Sequence, residues 1–205
     1  MIYEMRTYKM KIGKAAEFMD NFEPLFERRQ KISRLLGMFT ADIGDLNRVM
    51  HIWEFEDAKH RDEVRAEAMS QSWWPPKSAS IILEQSNKLL VAPPFRSEPR
   101  LGENGGVYEV RTYGVETGKM NDVISRWTEH LPERETVSPL AACFTSEFGT
   151  LNEFIHIWAY KDLLHRAEVR EATKKLANWP PGSGPVLTSQ NSEIWIPASF
   201  SLMHL

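Results

Sequence analysis

The sequence predicts an α+β fold: tandem ferredoxin-like βαββαβ repeats forming an intramolecular dimeric α/β barrel. Three observations lead there. The chain repeats itself without a gap, both copies carry the same order of strand and helix signals, and each copy would leave one sheet face bare. Matched pairs from Tyr3 and Tyr108 to Phe95 and Phe200 keep one constant offset, and about thirty of roughly 95 aligned positions are identical. Two copies with so long a period exclude a solenoid or propeller. The 205 residues divide into two units of about 100, an ordinary domain size. The expected boundaries are 1–98 for the first unit, 99–105 for a linker and 106–203 for the second. The Pro-, Gly- and charge-rich stretch 92–106 suits an exposed connection.

Each element is justified on both copies at once. Residues 2–10 and 107–115, opened by Tyr-Glu-x-Arg-Thr-Tyr, alternate and are rich in β-formers, so each is a strand. Gly13 and Gly118 close the following turns. Phe18, Phe22, Leu25 and Phe26, answered by Val123, Trp127 and Leu131, recur at helical spacing. Pro24 and Pro132 break or bend that helix at different places in the two copies. A hairpin follows, turning at Gly44-Asp45-Leu46-Asn47 and at its counterpart, with 37–44 and 48–56 as its first-copy strands. Asp57 and Asp162 are good N-caps for a second helix, which Trp-Pro-Pro at 74–76 and 179–181 is expected to stop. A last strand closes each unit. The order βαββαβ is the split-βαβ arrangement, four antiparallel strands with two helices on one face. The bare face would pack on its counterpart in the same chain, giving a pseudo-twofold barrel.

Composition narrows the function classes. The chain is 42% hydrophobic and 26% charged, with a net charge of −3 and a sequence pI near 6.1. No basic run offers a nucleic-acid footprint. No apolar run approaches a membrane span. The first strand begins near residue 2, leaving no room for a targeting peptide, so a cytoplasmic location is expected. Cys143 excludes an internal disulfide and reads as a buried thiol. The six His show no HxH or HExxH spacing, so no metal is expected, and no Gly-rich loop or Gly-x-Ser-x-Gly elbow supports a nucleotide, an organic cofactor or a serine nucleophile.

Candidate site residues follow from strand alternation. His51, Trp53 and Phe55 share one face, as do His156, Trp158 and Tyr160, while Glu4, Arg6 and Tyr8 share a face of strand one. Strands one and three are neighbours in this fold, which brings the two stripes together. They read either as a buried polar network or as a pocket. In the pocket reading His51 and His156 are the titratable groups for proton transfer, and Arg6, Tyr8, Trp53, Arg111, Tyr113 and Trp158 bind the ligand. Glu4, Arg6, His51 and their counterparts are expected to be buried, with Arg6 bonded to a carboxylate. His60, Arg61 and Arg65 read as a solvated helix face.

YEMRTY, GDLNRVMHIWEFED and KLLVAPPF, with YEVRTY, GTLNEFIHIWAYKD and EIWIPASF in the second copy, resemble the NIPSNAP family. The resemblance implies the dimeric α+β barrel superfamily, whose single-domain members pair as homodimers; this chain would supply both halves and could oligomerise further. The family has no settled biochemical activity, and some members are linked to mitochondria and vesicle handling. Three functions stay open. One is a binder of a small apolar or aromatic molecule. The second is a cofactor-independent enzyme similar to the barrel's monooxygenase and isomerase relatives, with His51 or His156 as general base. The third is a protein assembly module without chemistry.

Overall fold

Residues 1–204 of the chain are described by a computed structural model. In the first copy β1 (Ile2–Met10) leads to α1 (Ala15–Phe22), a 3₁₀ turn at Glu23–Leu25 and α2 (Phe26–Gln30), then β2 (Leu35–Ile43), β3 (Arg48–Phe55), α3 (Ala58–Ser70) and β4 (Ile82–Val91). The second copy runs β5 (Val107–Val115), α4 (Met120–Glu135), β6 (Leu140–Phe148), β7 (Glu153–Tyr160), α5 (Leu163–Thr173) and β8 (Leu187–Pro197). Pro24 sits in the 3₁₀ turn and splits the first helix in two, whereas α4 runs through Pro132. A proline lacks the N–H that continues the α ladder, so its place decides where the helix breaks.

The Leu-Asn of the repeated motif closes the hairpins. Asn47 and Asn152 both adopt a left-handed conformation, φ 56°, which Asn tolerates better than most residues. Their carbonyls accept from Met10 N and Val115 N, and the Asn47 side chain accepts from Gly13 N, so one residue ties the hairpin to the end of β1. Asp57 and Asp162 cap α3 and α5 by accepting from His60 N and His165 N at 2.8 and 2.7 Å.

Each copy is a four-stranded antiparallel sheet in the order β4-β1-β3-β2, repeated as β8-β5-β7-β6. The sheets do more than face one another. β2 pairs with β8 and β4 with β6, so the eight strands close into one barrel without a free edge. Tyr3, Met5, Phe39, Ile52, Tyr108, Phe144, Ile157 and Trp195 fill the interior, while the helices cover the outside over two further apolar clusters. The tails cross over: Phe200, after β8, packs on Phe22 and Phe26 of the first copy, and Phe95, after β4, packs on Trp127 of the second.

The barrel interior also carries two ion pairs between the copies, Arg48 with Glu193 and Lys88 with Glu153. In the repeat, Arg48 stands where the second copy has Glu153, and Lys88 where it has Glu193. The first copy thus supplies both cations and the second both anions. Arg48→Glu should destabilise the fold by about 2–4 kcal/mol, between the costs of breaking exposed and buried pairs. The swap Arg48→Glu with Glu193→Arg should recover at least half of that in urea unfolding, and no recovery would show that the pairing sign is irrelevant.

Candidate functional site

The two stripes meet as alternation requires. Arg6 pairs with His51 across β1 and β3, and Glu4 with Trp53. On the helix side they line a cavity of about 380 Å³ with Tyr8, Phe18, Phe22, Arg29, Arg65 and Trp74. That volume lies within the roughly 300–1,000 Å³ of small-molecule sites. Trp74, Pro75 and Pro76 belong to its wall. They do not stop the helix, because α3 ends at Ser70 and α5 at Thr173, several residues earlier.

His51 is the centre of the aromatic side. Its ring is 3% exposed and stacks on Tyr8 at 5.0 Å with the planes 3° apart. Trp53 Nε1 donates to His51 Nδ1, and in the second copy Trp158 Nε1 donates to His156 Nδ1 at 2.8 Å. An indole N–H can only donate, so the ring nitrogen facing it accepts and the proton of the neutral imidazole sits on Nε2. This is what the His-x-Trp spacing builds, a two-residue unit on one strand face that fixes the tautomer. Nε2 of His51 and of His156 is buried without a hydrogen-bond partner among the described residues. Burial, then the charges of Arg6 and Arg29, hold the His51 pKa well below 6.5; burial and Arg111 do the same for His156.

The polar side turns on Glu4, which is 1% exposed. Arg61 donates to its Oε1 at 2.5 Å, and Asn87 donates to the same oxygen at 2.8 Å. Arg65 lies 3.8 Å from the other oxygen. The α3 arginines expected to face solvent therefore reach down onto the sheet. A helix read by itself shows only the neighbouring Asp62 and Glu63; Arg61 does bond Asp62 at 2.9 Å, but its shorter bond is to Glu4, 57 residues away in sequence. Arg6 pairs with a carboxylate as expected, standing 3.8 Å from Glu4, but its side chain is 18% exposed and its Nε has no hydrogen-bond partner among the described residues. Arg29, absent from the sequence reading, is buried, bonds Ser33 and stacks over Trp53 at 4.3 Å. Arg134 repeats this with Ser138 and Trp158. The recurrence of Arg and Ser at these spacings in both copies was the available signal.

The second copy brings together the matching residues but fills the space. Trp127, the counterpart of Phe22, lies 4.6 Å from the His156 ring and touches Phe154, Trp158 and Trp179. Tyr113 meets His156 edge-on, where Tyr8 stacks flat on His51. Glu109 is better satisfied than Glu4, with Arg111 at 3.2 Å, Arg166 at 2.6 Å, Ser192 at 2.6 Å and Tyr160 Oη at 3.2 Å. Burial raises its pKa, but the Arg166 hydrogen bond, Arg111 and Ser192 outweigh it and hold the carboxyl at about 2. Among the described residues no cluster of three or more His, Cys, Asp or Glu could hold a metal, and no helix is long and apolar enough to cross a membrane. Cys143 is buried, which pushes its thiol well above the usual range.

The two imidazoles set a pH dependence. The unfolded chain takes up protons below about pH 6.5 that the native state refuses, so their stabilising contribution is complete above that pH and is lost as pH falls towards their lower folded values. Glu109 acts in a separate window, below its ordinary 4.5. Unfolding free energy should fall between pH 6.5 and 5 by up to about 1.4 kcal/mol per unit for each imidazole. His51→Gln should shallow that slope in denaturant titrations, and a flat profile over this range would contradict the buried neutral rings.

Comparison with known proteins fits this architecture. The NIPSNAP family model matches residues 3–96 and again 108–202. A NipSnap homolog of Dictyostelium discoideum is 31% identical over 87% of this chain and 78% of its own length. The human NipSnap homolog 3A is 29% identical over 98% of this chain and 85% of its own. Among solved structures, a candidate monooxygenase from Fusobacterium nucleatum superposes with a TM-score of 0.69 at 13% identity, covering 96% of this chain and 91% of that one, which is a likeness of fold.

Proposed function

This chain belongs to the NIPSNAP family, and from that premise we propose that it binds a small aromatic or apolar molecule in the sheet-helix cavity of its first copy. The observation that carries the reading is the contrast between the copies: Phe22 leaves a cavity beside His51 where Trp127 covers His156. A cavity walled by Phe18, Phe22, Trp53 and Trp74 offers apolar burial, and the Nε2–H of His51 offers one placed donor. His156 carries the same unpartnered Nε2, so it is the cavity beside His51, and not the donor alone, that favours a ligand over a purely assembling module. The second copy then serves as scaffold, with His156, Arg111, Tyr113 and Trp158 keeping structural roles.

In this reading the imidazole of His51 works as a donor and not as a general base. Its lone pair is held by Trp53 and its pKa is depressed, so it takes up a proton poorly near neutral pH. Stabilising an oxyanion is the chemistry such a donor can assist.

Phe22→Trp tests the assignment by giving the first copy the ring of the second. The substitution should cost about 1–3 kcal/mol as an overpacking change. It should also abolish the thermal shift that a neutral bicyclic probe, 2-naphthamide, gives the unaltered chain, whereas Trp127→Phe should leave that shift in place. Equal binding to Phe22→Trp and the unaltered chain would remove the cavity from consideration.

A further inference from the structure

Resting on that cavity, we propose that its ligands are aromatic carboxylates, with the acid group held by Arg6 and the Nε2–H of His51 and the ring seated against Phe22, Trp53 and Trp74. The cavity lining carries more positive charge than negative. Arg6, Arg29 and Arg65 line it, and the one buried carboxylate there, Glu4, is already held by Arg61 and Asn87. The other lining carboxylate, Glu84, is on an exposed residue. Arg29 has its own partners in Ser33 and the Trp53 and Trp74 rings. Arg6 is held more loosely: it stands 3.8 Å from Glu4 and leans over Tyr8 at 5.6 Å, and its Nε is buried without a hydrogen-bond partner among the described residues. His51 is its direct partner across the strands, more than nine-tenths buried, and also carries a free N–H. Two neighbouring unused donors, one of them charged, match the two oxygens of a carboxylate.

The second copy shows what these donors do when no ligand is intended. Arg111 turns its Nε onto Glu109 at 3.2 Å, and Tyr160 and Ser192 complete the carboxylate. In the first copy Phe55 replaces Tyr160, and Arg6 stands back from Glu4 at 3.8 Å with its Nε unbonded among the described residues. Crowding of like charge agrees with this: burial, then Arg6, lower the pKa of Arg65, and burial, then Arg65, lower that of Arg29 to about 10. An incoming anion would relieve both. A cation would meet three guanidinium groups and gain nothing.

The test uses the full chain and three probes of one skeleton, 2-naphthoate, 2-naphthamide and 2-naphthylmethylamine, measured by calorimetry at pH 7.5 and low salt. The acid should bind about 10- to 100-fold more tightly than the amide, the size expected for a charge-assisted hydrogen bond, and the amine should bind most weakly. Arg6→Gln should erase the acid's advantage while the amide keeps its affinity within about threefold; Arg111→Gln should change neither. Acid and amide binding alike, or a preference for the amine, would overturn the carboxylate and leave the cavity standing. Failure of all three probes would overturn the carboxylate together with the cavity on which it rests.

Discussion

A four-stranded sheet with helices on one side has two faces and two edges to cover, and everything else in this molecule follows from how that is done. The interior faces carry Tyr3, Met5, Phe39 and Ile52 in one copy and Tyr108, Phe144 and Ile157 in the other, side chains that cannot be left to water. Packing them together buries the faces. Pairing β2 with β8 and β4 with β6 then satisfies the edges, so a barrel results where a loose sandwich would still expose unpaired backbone. The barrel interior keeps a cavity of about 360 Å³ around Arg48, Lys88, Glu153 and Glu193, and the outer face with its helices carries the one beside His51. The polar stripes of β1 and β3 point there.

Duplication within one chain removes a constraint that a homodimer must obey. In a symmetric pair position i meets position j and j meets i, so a cation can face an anion only if one sequence carries both. Here Arg48 and Lys88 in one copy face Glu193 and Glu153 in the other. The halves are made for each other and poorly suited to themselves, since like charges would oppose in either self-pairing. The same freedom lets Phe22 and Trp127, or Phe55 and Tyr160, differ without doubling the consequence. Only a chain that breaks its own symmetry can keep one cavity open and the other closed.

Much of this could be read before any coordinates. The gapless repeat gave element order, and alternation along HIW and YExRTY gave the shared face correctly because strand periodicity is short and local. The Asp57 and Asp162 caps were legible for the same reason. What escaped were interactions between distant segments. Arg61 and Arg65 sit among acidic neighbours on α3, and nothing local distinguishes a solvated face from one that reaches Glu4 on β1. Arg6 showed the reverse: its own strand offers Glu4 two residues away, yet the closer guanidinium belongs to α3. Trp-Pro-Pro was read by its helix-breaking chemistry, and its use as a cavity wall depends on where the loop after α3 returns. Arg29 was findable, because Arg and Ser recur four apart in both copies; comparing the copies for shared polar residues, and not only for shared pattern, would have flagged it.

The buried imidazoles show how one structural device can serve two ends. In both copies the tryptophan two residues on fixes the tautomer and leaves the proton on Nε2. A general base works best with its lone pair within reach of the proton it takes and a pKa near the working pH. Here the nearest charges are guanidinium groups, which disfavour protonation of the ring and favour negative charge beside it. Where Trp127 covers the ring, that field has nothing to act on but protein, and the unit is part of the core. Where Phe22 leaves room, the same field becomes a property of the cavity. In the proposed reading, the difference between a structural histidine and a recognition site is the size of a neighbouring aromatic ring, set on a helix that the barrel holds in place.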